Sequence, residues 1–301
     1  MVSLDKMYTY EELTREMAEI GKEYSDILRY DIIGRSHDNR DIAMLTLGQG
    51  SQYLICTGGV HGRESVNPAV LIHTIAKYCK VYRHAGDQDS QYPVYHLLTR
   101  YAICFIPLLN PDGYSIALEG FEAIHNPTLR HTCKMLNIPH QEWKFNGRGV
   151  DINRNFPCVS YMRQGLMGYP GSENETKILM DVFRDFPSVA YQDFHSRGKL
   201  IYYHRSAMPP VYNKESYKLA LYIQVVTGYM LGTKEDEFET SVSGGNTVNY
   251  YSEYYKKPAI TIETVEDEAV FPLVSDYQEE TFKEIYAIPL ITLLYLGDHM
   301  I

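Results

Sequence analysis

No stretch of 18 apolar residues occurs in the 301-residue chain, which excludes a membrane-spanning helix of ordinary length. The first ten residues carry neither a basic segment nor an apolar one, so no export signal is expected there and the expected location is cytoplasmic. Cysteine is sparse: Cys56, Cys79, Cys104, Cys133 and Cys158 make an odd five with no Cys-x-x-Cys pair. A disulfide framework is therefore not expected, and a reducing compartment fits. Positive charge is in deficit, with 28 Lys and Arg against 38 Asp and Glu for a net charge of -10. Binding a phosphate backbone needs clustered cations, so nucleic acid is not expected as a partner. Repeats, low-complexity tracts and linkers are missing too, and a single domain over 1–301 is the expectation. What is present is ordinary: 45% hydrophobic and 22% charged residues, enough for a large core.

Apolar spacing predicts an amphipathic helix over 10–24, with Leu13, Met17 and Ile20 on one face. Two strands, 27–33 and 40–47, flank a turn at His37, Asp38 and Asn39. Short apolar runs predict buried strands at 53–57, 101–109, 189–194 and 259–262. Asn67-Pro68 predicts a helix with Asn67 as N-cap. Further helices are expected at 172–183, where Ser172 and Glu175 have capping-box spacing, and at 214–228 and 279–296. Apolar strands alternating with amphipathic helices imply an α/β fold: a mixed, mostly parallel sheet with helices on both faces.

In such sheets ligands collect at the carboxyl ends of the strands. Four polar residues follow directly on predicted strands: His61 and Glu64 after the first buried strand, His195 after the third and Glu263 after the fourth. His61 and Glu64 form H-x-x-E in a loop with Gly58, Gly59 and Gly62, which lets the backbone turn sharply. Two His and one carboxylate are a usual catalytic zinc set, leaving a position for water. H-x-x-E alone is common by chance; the convergence of all four residues carries the reading. Glu263 closes an apolar strand, where a carboxylate is costly unless paired or used, and a general base is one such use. The most specific run is 149–156, G-V-D-I-N-R-N-F, in which Arg154 can fork onto a carboxylate and Asn153 can add a donor. His73, His84, His96, His125, His131 and His140 are read as structural or exposed.

Together these residues resemble the zinc carboxypeptidase family, whose fold is that of carboxypeptidase A, over about residues 10–296. The resemblance implies a three-layer carboxypeptidase-like fold and one zinc per chain, held by His61, Glu64 and His195, with Glu263 as general base. It implies that Arg63 contacts substrate and that Asn153 and Arg154 grip a terminal carboxylate. Arg148 is the expected oxyanion-stabilising arginine, with Arg130 as the fallback, and Arg197 is an added carboxylate contact. The chain departs from the animal enzymes at Thr240, where their mobile tyrosine precedes a Ser-Gly-Gly like that at 243–245; Tyr250 or Tyr251 are the candidates to replace it. Thr247 lies near the position that sets their side-chain preference.

Three patterns are similar to the bacterial branch that cleaves peptidoglycan stem peptides: W-K-x-N-x-R-G-V-D at 143–151, H-S-R-G-K at 195–199 and T-I-E-T-V-E-D at 261–267. That similarity implies hydrolysis of the γ-D-glutamyl–meso-diaminopimelate bond in a cell-wall-derived peptide. The alternatives are a metallocarboxypeptidase acting on ordinary peptide C-termini and a zinc deacylase on the same scaffold.

Overall fold

The structure, a computed structural model, describes residues 2–84, 92–163, 168–233 and 244–299. Helix α1 (Tyr10–Glu23) opens with a true capping box: Thr9 accepts from the Glu12 amide, and Glu12 accepts from the Thr9 amide. The hairpin β1 (Leu28–Arg35) and β2 (Asp41–Gly48) follows, then β3 (Gln52–Gly58). Helix α2 (Val66–Arg83), α3 (Val94–Arg100), β4 (Tyr101–Ile106), α4 (Pro111–Glu119) and α5 (Pro127–Met135) come next. The second half runs α6 (Asn174–Asp185), β5 (Ser188–Ser196), β6 (Leu200–Tyr202), α7 (Pro210–Thr227), β7 (Met230–Leu231), α8 (Thr247–Tyr255) and β8 (Ala259–Thr264). Two helices close it, α9 (Gln278–Ile285) and α10 (Ile288–His299).

The eight strands form one mixed sheet in the order β1-β2-β4-β3-β5-β8-β6-β7. Its centre, β4-β3-β5-β8, is parallel, and antiparallel pairs flank it. Alternate residues of the central strands enter separate cores, as the period of two requires. Leu54 and Cys56 of β3, with Ile103 and Phe105 of β4, pack under α1, α2, α7 and the C-terminal helices. Ile55, Cys104 and Ile106 face the other way, onto Leu179, Val182 and Phe183 of α6 and Tyr251 of α8. Helices therefore cover both faces, and the expected three-layer fold is what forms. All five cysteines are unpaired.

Four local expectations are corrected. The helix expected from Asn67 begins at Val66 behind Ser65, and Asn67 is wholly buried, its amide turned towards β5. Ser172 lies outside α6 and donates to Glu173 at 2.5 Å, so no capping box forms with Glu175. The expected 279–296 helix is two helices, because Pro289 has no N–H for the preceding turn and disfavours helical backbone at Ile288. The strand expected over 101–109 stops at Ile106, and α4 starts at Pro111 with Asn110 as its N-cap.

Candidate metal centre

The carboxyl ends of β3, β5 and β8 lie side by side at the sheet's centre. Beyond β3 the chain turns at Gly59 (φ 60°), and Gly62 passes so close to Gly113 that a Cβ there would sit 2.2 Å from its carbonyl. This tight path sets His61 in the loop and Glu64 just before α2. His195 lies on β5, and Glu263 lies directly opposite it on β8.

His61, Glu64 and His195 converge, with one donor atom from each within 4.8 Å of the others. Both imidazoles present Nδ1 to the same carboxylate: His61 at 2.6 Å from Glu64 Oε1 and His195 at 3.0 Å from Oε2. The far nitrogens also face carboxylates. His61 Nε2 lies 3.3 Å from Asp151 Oδ1, and His195 Nε2 lies 3.0 Å from Asp193 Oδ2. An Nε2–H donated to an acid leaves the Nδ1 lone pair free, the arrangement that prepares an imidazole as a metal ligand. The donor set fits zinc: two nitrogens and a carboxylate, with both imidazole tautomers held from behind. The cluster is not sealed, since the His61 side chain keeps 14% of its exposure.

The supporting carboxylates are themselves fixed. Asp193 accepts from Thr57 Oγ1 at 2.6 Å and from Thr247 Oγ1. Asp151 accepts from the Asn153 amide at 3.0 Å and pairs with Lys144 at 2.7 Å. Asn67 of α2 donates to the His195 carbonyl at 2.9 Å, tying the helix after Glu64 to the strand that bears His195. Burial pushes Glu263 up to about 7, with Glu64 adding to the shift and His195 opposing it. Burial also acts to raise Glu64, but His61 and His195 outweigh it and hold that carboxyl down at about 2. Burial works against a proton on His195, yet Asp193 and Glu64 raise its pKa well above the ordinary value. We predict that Asp193→Asn, which keeps the shape and removes the charge behind His195, weakens zinc binding by about 10–100-fold. Competition with a chelator of known affinity measures this; an unchanged affinity would show Asp193 to be only a packing group.

The structure brings some of the expected substrate contacts to the cluster and not others. Asn153 does reach it, with Nδ2 3.5 Å from His195 Nε2 and Oδ1 accepting from the Thr247 amide. Arg154 is adjacent, donating to the Asn153 carbonyl at 2.6 Å. Arg63 and Arg197 stack over the same ring, Phe271, at 4.3 and 5.3 Å. Arg63 also pairs with Glu142, and Arg197 donates to the Ala269 carbonyl. Arg148 pairs with buried Glu173 at 3.2 Å, and no contact between it and the cluster is seen among the described residues. Arg130 pairs with Glu122 instead. The basic group linked to His61, through Asp151, is Lys144. Tyr250 and Tyr251 turn into the core against Phe183 rather than towards the cluster. Thr240 and Ser243 lie outside the described residues.

Sequence reasoning missed Lys144, Asn67, Phe271 and the role of Asp151 and Asp193. Asp193 was open to detection: it is an acid inside an apolar strand, two residues before His195 and so on the same face.

A parallel-centred α/β sheet with a His-Glu-His cluster at its carboxyl edge defines a metallopeptidase architecture, and the sequence agrees. The zinc carboxypeptidase family profile matches residues 13–287, and the chain belongs to that family, a family of zinc metallopeptidases. Among individual proteins, it is 22% identical over 279 residues to gamma-D-glutamyl-L-diamino acid endopeptidase 1 of Lysinibacillus sphaericus, covering 87% of this chain and 67% of that one. It is 27% identical over 217 residues to carboxypeptidase A2 of Mus musculus, covering 69% of this chain and 49% of the relative. The fold matches bovine thrombin-activatable fibrinolysis inhibitor with a TM-score of 0.75 at 17% identity, covering 98% and 99% of the two chains.

Proposed function

We propose that this chain hydrolyses an amide bond in peptides bearing more than one carboxylate, and that its substrate is the γ-D-glutamyl–meso-diaminopimelate bond of peptidoglycan stem peptides. In this reading His61, Glu64 and His195 hold one zinc, which when bound supplies Lewis-acid polarisation of the carbonyl and makes water more acidic. Glu263 accepts a proton from the attacking water at its carboxylate and passes it to the departing amine nitrogen. Lys144, rather than Arg148, supplies positive charge beside the developing oxyanion. Asn153 and Arg154 bind the terminal carboxylate and hold the scissile bond against the cluster.

The observation that carries the substrate reading is the supply of guanidinium groups. One arginine suffices for an ordinary C-terminus, and Arg154 fills that role. Arg63 and Arg197, paired over Phe271, add two more, which suits the extra charged groups of a diamino acid. The likeness to the Lysinibacillus enzyme, by its name an endopeptidase for such bonds, supports the same substrate.

The test compares a γ-D-glutamyl-diaminopimelate peptide with an N-blocked dipeptide, with products identified by mass. Each additional charge-assisted hydrogen bond contributes about 1.5–3 kcal/mol, so kcat/KM is expected to favour the stem peptide by roughly 10–100-fold. Cleavage of the blocked dipeptide with the stem peptide untouched would replace this reading with an ordinary carboxypeptidase. Chelator-sensitive release of an acyl group without peptide cleavage would point to a deacylase.

A further inference from the structure

A second group of donors lies away from the His61 cluster. His37, in the turn between β1 and β2, meets Glu173 and Glu175 at the start of α6, with one donor atom from each within 4.8 Å of the others. Both glutamates are fully buried. Two carboxylates buried together are costly unless each oxygen is satisfied.

The hydrogen bonds leave that satisfaction incomplete. Glu173 Oε1 is taken up by Ser172 and Arg148. Asn146 Nδ2 donates to Glu173 Oε2 at 2.8 Å and to Glu175 Oε2 at 3.1 Å, so the two carboxylates face each other across one amide. His37 Nε2 lies 3.1 Å from Glu173 Oε2. Glu175 Oε1 is buried and has no hydrogen-bond partner among the described residues. A carboxylate oxygen carries two lone pairs, so Asn146 leaves an acceptor position on Glu175 Oε2 as well, whereas Glu173 Oε2 already faces both Asn146 and His37. Buried polar atoms left bare in this way call for an unseen partner, and a cation would answer both the bare oxygen and the two facing carboxylates.

We propose that His37, Glu173 and Glu175 bind a second divalent cation, distinct from the one at His61, Glu64 and His195. The chemistry suits zinc: one imidazole and two carboxylates. Donors on one zinc at bonds of about 2.0–2.2 Å stand roughly 3–4 Å apart, so a small contraction of this group completes the site. The His37 side chain keeps 16% exposure, which gives an ion a way in from solvent. The ion would staple two segments, the β1–β2 turn and the start of α6; the loop from Asn146 to Val150, closed by its own backbone bond, is tied to the same glutamates through Asn146. That loop leads directly into Asp151, which backs His61.

The test is zinc stoichiometry on the full chain after dialysis against a chelator, read by titration calorimetry and elemental analysis. Wild type is expected to bind two equivalents, His61→Ala one, His37→Gln one, and the double variant none. Zinc is also expected to raise the Tm of His61→Ala but not that of the double variant. Glu175→Gln should weaken the second equivalent; if that variant fails to fold, His37→Gln decides alone. Wild type binding a single equivalent that His61→Ala removes would overturn the proposal. So would a second equivalent that survives His37→Gln.

Discussion

Glu263→Gln should reduce kcat by about 10²–10⁴-fold while leaving zinc content at the wild-type level. Glutamine matches the shape and cannot accept the proton. Glu263 is opposite His195 on adjacent parallel strands, so the substitution leaves the His-Glu-His cluster in place. KM should change little, because the lost interaction belongs to proton transfer rather than to substrate binding. The same residue sets the direction of the pH profile. Burial places it at about 7, and a cation on the neighbouring cluster pulls it lower. The base works deprotonated, so kcat/KM should rise with pH and level off at or below about 7. A Glu263→Gln enzyme that retained most of its turnover would remove this residue from the chemistry.

His61→Ala should abolish activity by a different route, through loss of the metal. Removing one of three protein donors leaves Glu64 and His195 alone, and Glu64 loses its 2.6 Å partner. Elemental analysis should show at least one fewer zinc per chain than in wild type, and excess zinc should restore little activity. The contrast with Glu263→Gln is the informative part: one variant is metal-replete and slow, the other metal-deficient and inactive. A His61→Ala chain with full zinc content and normal turnover would refute the assignment of the cluster.

The four residues at the strand ends were legible because they obey a rule of α/β sheets: polar groups following buried strands collect at one edge. Their meeting at one edge could be read without knowing any helix boundary. The helix starts show how a local signal fails. Asn-Pro occurs at 67, 110 and 126. At 110 and 126 the asparagine caps a helix, accepting from Gly113 and from Thr128 and Leu129. At 67 the same dipeptide lies one residue inside α2, because the amide is drawn to the His195 carbonyl across the sheet. That pull is tertiary and leaves no local trace. The partner of Arg148 was hidden for the same reason. Its place in a motif suggested the cluster, whereas Glu173, 25 residues on and fully buried, decides where its guanidinium goes. Asp151 looked like a turn residue and does accept from the Asn153 amide; its second task, backing His61, spans 90 residues.

The register between β5 and β8 has a consequence for how such a protein can be altered. The separation of His195 from Glu263 is defined by main-chain pairing within a rigid layer, and slipping one strand by a residue would put the two side chains on opposite faces of the sheet. The arginines over Phe271 and the segments beyond the strand ends are not bound by that ruler. Exchanging those outer segments should therefore redirect which peptides are accepted while the spacing between metal and base stays at its original setting, making the sheet a fixed chassis for interchangeable recognition loops.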